Sequence, residues 1–227
     1  PQQLKKKNRH FILSYPENNV EAEIEVSVNK NYITFELTDI TPSDSVELVI
    51  WGPYPTTINE TIGECVVVVR NNDFAIGIQA LNVKTLGGYP AEESDIEPSF
   101  DIFATGNYTD IDKDRRARKN YRGQTARVQD FGSVVQAYTR NRNRERIISN
   151  WGHTRYLAPP FEDGGVTGSK IALFGCPPEN ALDLIGQIEI NEGLPHPLVD
   201  GEWAKTSRSA TSSYLIINFT EANLDSA

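Results

Sequence analysis

The residues in this chain best suited to chemistry are Trp151, His153, Arg155 and Trp203, a set that fits sugar recognition. Aromatic faces stack on the apolar faces of sugar rings, while arginine and histidine donate hydrogen bonds to hydroxyls. Tryptophans also anchor cores, and these two indoles fit that role as well. The acids Glu162, Asp163 and Glu202 are the candidates for a glycosidase pair, which needs two carboxyl groups about 5 to 10 Å apart across a cleft. Sequence spacing does not establish such a pair, and turn formation explains the same acids. Glu162 and Asp163 beside Gly164 and Gly165 offer oxygen ligands, but two acids in a turn are a weak calcium signal.

Several chemistries are disfavoured outright. The three histidines, His10, His153 and His196, are far apart in sequence, which argues against a histidine metal site. No nucleophile elbow is present, and the glycine-rich run 161–170 leads from Lys170 into a strand rather than a helix, so it is not a phosphate loop. Cys65 and Cys176 form neither a metal spacing nor a disulfide framework. No cofactor is expected.

Charge is unevenly distributed. Residues 113–146 hold eleven Lys or Arg against three acids, a local +8 in a chain of net charge −9. Such a segment reads either as a polyanion site or as a solvated loop paired with the acidic remainder. Arginines at 140, 142, 144 and 146 would share one side of a strand, but no aromatic ladder accompanies them, which argues against nucleic acid. No apolar stretch reaches the roughly 20 residues of a membrane span, so none is expected.

The elements that must position these residues are mostly strands. Residues 20–28 and 32–37 alternate apolar and polar around the turn-prone Asn29-Lys30-Asn31, the pattern of an antiparallel hairpin with one wet face. Residues 46–51 form a strand that Pro53 and Pro55 are expected to end. Residues 63–70 and 74–81 are apolar throughout, as in the middle of a sandwich. Residues 100–103, 133–138 and 171–175 read as further strands, and the expected fold class is mainly β, a β-sandwich. Pro177-Pro178-Glu179-Asn180 opens a helix with Ala181, Leu182, Ile185 and Ile188 on one face, ended by Gly193. Residues 194–203 lack a period and read as a connector. At the end, residues 214–219 form an apolar strand and Thr220 caps the start of a helix, the beginning of a βα unit. The expected organisation is a sandwich over 1–176, a helical linker over 177–210 and the start of a truncated α/β domain over 211–227.

Four runs carry a resemblance. They are Trp51-Gly52-Pro53-Tyr54-Pro55-Thr56-Thr57-Ile58, Ala75-Ile76-Gly77-Ile78-Gln79-Ala80-Leu81-Asn82, Ser149-Asn150-Trp151-Gly152-His153, and the segment from Gly165 to Cys176. Together, over about residues 10 to 227, they resemble the N-terminal region of large secreted glycoside-hydrolase-like proteins of polysaccharide-degrading bacteria. The resemblance implies a galactose-mutarotase-like sandwich, or supersandwich, preceding a (β/α)8 barrel whose first strand and helix begin at Tyr214 and Thr220. It also implies a periplasmic or extracellular location with the export signal removed, and an oligo- or polysaccharide and the chain's own C-terminal barrel as partners. Barrel enzymes carry their catalytic groups at the strand ends, so no catalytic residue is assigned and the chain itself is expected to be inactive. The alternative is a free-standing glycan-binding module.

Overall fold

The computed structural model describes residues 3–58, 60–62, 67–88, 126–129, 132–144, 146–150 and 153–211. The chain opens with β1 (Gln3–Lys7), β2 (His10–Tyr15), β3 (Val20–Val28) and β4 (Tyr32–Thr41). Next come β5 (Leu48–Thr56), β6 (Thr61–Ile62), β7 (Val67–Arg70), β8 (Ala75–Ala80) and β9 (Thr85–Gly87). Then follow β10 (Ala126–Gln129), β11 (Gly132–Arg140), the hairpin β12 (Arg146–Asn150) with β13 (His153–Ala158), and β14 (Lys170–Cys176). Helix α1 (Ala181–Asn191), the short hairpin β15 (Leu198–Val199) with β16 (Glu202–Trp203), and the one-turn α2 (Arg208–Thr211) complete the described chain.

Among the described residues, two antiparallel sheets make a β-sandwich. The larger has eight strands in the order β1-β2-β3-β4-β14-β8-β7-β6, and the smaller places β11 between β5 on one side and β10 and β9 on the other. The β3–β4 hairpin forms in the expected place, with Ala22 opposite Ile40, Ile24 opposite Leu37 and Val26 opposite Phe35. Apolar residues meeting in register put one face of the hairpin toward the core. That core, between the sheets, gathers Leu37, Trp51, Val69, Ile78, Val135 and Ile171.

The unbroken apolar runs of β8 and β14 have a physical reason: both faces of these strands are covered. Ile78 and Ile171 point into the sandwich, whereas Ala75, Ala172, Phe174 and Cys176 belong to a second core roofed by α1. The helix contributes Ala181, Leu184, Ile185 and Ile188 to that roof, and each fully buried Leu or Ile side chain stabilises by roughly 1.5–3 kcal/mol. Leu184 occupies the place expected of Leu182, which is 55% exposed. Both leucines fit a nominal apolar stripe, but the spacing 181, 184, 185, 188 follows one helix face more closely. The helix expected as a linker element is therefore packed on the large sheet.

Two other expectations change. β5 continues through Pro53 and Pro55 to Thr56 instead of stopping before them. It is an edge strand, where a missing N–H costs no ladder bond, and the register shift between Val135 and Ala137 absorbs the one extra residue at Gly52-Pro53. The connector after α1 forms the β15–β16 hairpin, with Leu198 opposite Trp203. The expected strand at 100–103, the run 63–66 with Cys65, most of the basic segment before Ala126, and the terminal βα unit from Tyr214 all lie outside the described residues.

A chain of buried hydroxyls ties the two sheets together. Trp51 Nε1 donates to Ser169 Oγ at 2.8 Å, Ser169 Oγ lies 2.6 Å from Thr139 Oγ1, and Thr139 Oγ1 lies 3.0 Å from Thr85 Oγ1. Thr85 Oγ1 donates to Asn82 Oδ1 at 2.8 Å. Asn82 Oδ1 can only accept, so Thr85 uses its proton there and must accept from Thr139, which in turn accepts from Ser169. The indole N–H, which can only donate, gives its hydrogen bond to Ser169. Every hydroxyl in the chain thus has a fixed direction.

Candidate functional site

An open groove of about 790 Å³ at the end of the central strands sets polar groups beside an exposed aromatic ring. The β3–β4 turn supplies Asn29, Lys30 and Asn31, the start of α1 supplies Asn180, Asp183 and Gln187, and Phe74 flanks them. All seven are exposed, and Phe74 is 46% exposed despite its size. Buried Tyr32, Phe174 and Leu184 also line the groove.

Local structure explains why these groups stand where they do. Asn71 Oδ1 accepts from the backbone N–H of Asp73 at 2.9 Å and of Phe74 at 2.8 Å, an Asx turn that fixes the β7–β8 corner. The Phe74 ring then reaches Gly175, where a Cβ would stand only 2.7 Å from Phe74 Cζ. Phe174 is seated in the same way on Gly77, its register partner across the β14–β8 ladder, where a Cβ would collide with the ring. Two aromatics resting on two glycines therefore set the depth of the groove.

Electrostatics around the groove follow from burial and pairing. Tyr32 donates from its hydroxyl to Glu192 Oε1 at 2.8 Å, and burial, followed by this bond, raises its pKa. Burial pulls the Lys170 ammonium down, but Glu192 at 3.2 Å and Glu36 at 3.5 Å outweigh it and the net shift is upward. Burial and then the Glu179 carboxylate push the Cys176 thiol up, which keeps it protonated and weakly nucleophilic. The groove thus presents amides, one carboxylate and one ammonium as hydrogen-bonding groups beside an aromatic ring. Amides donate and accept at once, which suits ligands whose hydroxyls do the same.

The residues singled out from the sequence fare differently. Trp203 is partly buried: its ring stacks on His196 with centroids 5.0 Å apart and planes at 15°, and Lys205 Nζ lies 5.1 Å from its centroid. It packs toward Gly186 of α1, joining the β15–β16 hairpin to the helix, so a face that a sugar would need is occupied by an imidazole. His153 and Arg155 are described as backbone positions in β13, and Trp151 lies outside the described residues. Glu162 and Glu202 are exposed, and Asp163 pairs with Lys84 at 2.8 Å. Among the described residues no group of three or more His, Cys, Asp or Glu gathers as a metal site would require.

The alternating arginines do not share a strand. β11 ends at Arg140, which pairs with Glu47 at 3.3 Å, and Asn141 turns the chain by donating to Val46 O at 3.0 Å. Arg142 then lies over the Phe161 ring at 5.3 Å, and Arg144 donates to Asp44 O at 3.3 Å. Their spacing of two predicts one face only inside a strand, and the turn between β11 and β12 removes that condition.

Sequence reading missed Phe74 and the amides of the groove. Phe74 reads as the apolar start of a strand, and Asn29-Lys30-Asn31 reads only as a turn. A polar turn ending in an aromatic residue was the one available signal, because the pairing of Phe74 with Gly175 exists only in the fold.

A second surface carries more large apolar side chains. Between β5 and strands β2 to β4 a cavity of about 800 Å³ is lined by Leu13, Val20, Phe35, Trp51 and Tyr54. Phe35 and Trp51 pack with ring centroids 6.3 Å apart at its base. Among the described residues no helix is long and apolar enough to cross a membrane. No protein-family model matches the chain, and neither a curated protein nor a solved structure matches it significantly.

Proposed function

We propose that this chain is a glycan-binding β-sandwich and that the groove at Phe74 is its binding face. The observation that carries this reading is Phe74, held against Gly175 and 46% exposed in a groove shared with Asn29, Asn31, Asn180 and Asp183. An aromatic platform beside amides that both donate and accept and a carboxylate that accepts is the chemistry that recognises a pyranose. A glycan array followed by titration of the retained oligosaccharide tests it. Selective retention is expected, with Phe74→Ala weakening binding by roughly tenfold or more while the fold stays intact. Absence of any retained glycan, or equal affinity in the Phe74→Ala variant, refutes it.

A second reading is favoured by the cavity between β5 and strands β2 to β4. A wall of Leu13, Val20, Phe35 and Tyr54 open to water is the kind of surface that a neighbouring domain covers. On that basis the sandwich serves as the accessory part of a periplasmic or extracellular glycoside hydrolase and supports a catalytic barrel. The pairing predicts that the sandwich has no hydrolytic activity, and turnover of chromogenic glycosides by this chain alone would overturn it.

A further inference from the structure

The groove at Phe74 is one part of a longer polar strip along the same end of the large sheet. A further cavity of about 320 Å³ is lined by Glu60, Arg70, Asn71, Asn72, Pro178 and Glu179. Its walls are the two turns that border the groove. Asn71 and Asn72 belong to the β7–β8 turn that carries Phe74, and Pro178 and Glu179 stand between Pro177 and Asn180, which line the groove. Register brings the two turns side by side, because Cys176 at the end of β14 pairs with Ala75 at the start of β8. Thr61 pairs with Arg70, which sets Glu60 beside the same β7–β8 turn.

The polar residues therefore follow the strand order. From the β3–β4 turn the strip passes the end of β14 and the start of β8 to reach β6, in the order β4-β14-β8-β7-β6. At about 4.8 Å between neighbouring strands it spans roughly 20 Å. Phe74 stands at the middle strand, with Asn29, Asn31 and Asn180 to one side and Asn72, Arg70 and Glu60 to the other. That length suits an extended chain better than a single sugar.

The charges along the strip are not used by the fold. Among the described residues Arg70, Glu60 and Glu179 form neither an ion pair nor a side-chain hydrogen bond, and Lys30 and Asp183 of the groove are equally free. Two cations, Lys30 and Arg70, face three carboxylates, Glu60, Glu179 and Asp183. No positive excess is available for an anionic ligand, and the three acids would repel one. Free donors and acceptors of both kinds suit neutral hydroxyls, which do both at once.

On the glycan-binding reading of the groove, we infer that the ligand is an extended, uncharged oligosaccharide that crosses Phe74 and occupies both cavities. One sugar unit stacks on Phe74. Units beyond it reach the smaller cavity, where the Arg70 guanidinium donates to hydroxyls and the carboxylates of Glu60 and Glu179 accept from others.

The test is calorimetric titration of the full chain with neutral gluco-, manno-, xylo- and galacto-oligosaccharides from the disaccharide to the hexasaccharide, beside oligogalacturonides of the same lengths. For at least one neutral series, affinity is expected to rise by about tenfold or more between the shortest and the longest. Arg70→Ala should weaken hexasaccharide binding by about fivefold and leave disaccharide binding on Phe74 unchanged. Arg70 is exposed and its side chain has no partner among the described residues, so this variant should keep its fold. Phe74→Ala should weaken both lengths. The inference is overturned if affinity is flat with length, if Arg70→Ala binds the hexasaccharide as tightly as the unmodified chain, or if an oligogalacturonide binds more tightly than every neutral series. Where Phe74→Ala still weakens binding in such a case, the groove reading stands and only the extension falls; absence of binding by every sugar refutes both.

Discussion

Replacing Ser169 with alanine should be among the most damaging single-atom deletions in this protein. Ser169 is fully buried and sits second in the hydroxyl chain, accepting from Trp51 Nε1 at 2.8 Å and lying 2.6 Å from Thr139 Oγ1. Ser169→Ala removes both hydrogen bonds and leaves the Trp51 indole N–H buried with nothing to receive it. Two net bonds at about 1 kcal/mol each, plus part of the desolvation cost of the orphaned donor, give a loss of roughly 2–4 kcal/mol. For a chain of this size that lowers Tm by roughly 5–15 °C. Urea unfolding should show a lower midpoint with an unchanged slope, since the surface exposed on unfolding is the same. Trp51→Phe deletes the donor, so its cost should be smaller in the Ser169→Ala background than in the unmodified protein, by about 1 kcal/mol of coupling. A Ser169→Ala variant within about 0.5 kcal/mol of the parent, or strict additivity with Trp51→Phe, would show that the relay contributes nothing.

Gly77→Ala should destabilise by about 1–3 kcal/mol in chemical unfolding, because the new methyl group collides with the Phe174 ring and forces β8 or Phe174 to shift; a neutral result would mean that the ring is free to move. At high pH the protein should lose stability through Tyr138, whose pKa burial pushes up to about 12 against a smaller opposing pull from Arg140. A group with a raised folded-state pKa contributes stability that is complete below its unfolded value of about 10 and is lost as pH rises toward 12. The unfolding midpoint should therefore fall over that window, and Tyr138→Phe should flatten the fall; an unchanged slope in the variant would refute the assignment.

Much of the sandwich was legible because its strands obey simple periods. Residues 20–28 alternate and form β3, and the apolar runs that became β8 and β14 are as uniform as strands covered on both faces must be. The prolines of β5 misled, because whether Pro53 breaks a ladder depends on which neighbour the strand has, and edge position is a property of the whole sheet. The same holds for Leu182 and Leu184, where helix phase is decided by what the helix lands on. The candidate site was the least legible part. Asn31, Phe74, Gly175 and Asp183 come from four separate stretches of chain and meet only because β14 lies beside β8. Trp203 was legible as an important indole, but its stacking partner His196 was not.

The place of β14 has a consequence for how the protein must be assembled. It is the last strand of the large sheet to be synthesised, yet it sits in the middle, with Ile171 paired to Phe35 on one side and to Ala80 on the other. Until it arrives, β1 to β4 and β6 to β8 are two half-sheets, each ending at the open strand that β14 will later join. Such edges invite pairing with other chains, and the long loop that must close before they are sealed makes closure slow. During translation the nascent chain therefore passes through an interval in which its most apolar strand edge is unprotected. Helix α1 follows directly and roofs the finished seam, so commitment to the native state is concentrated in the short stretch of sequence from Lys170 to Asn191.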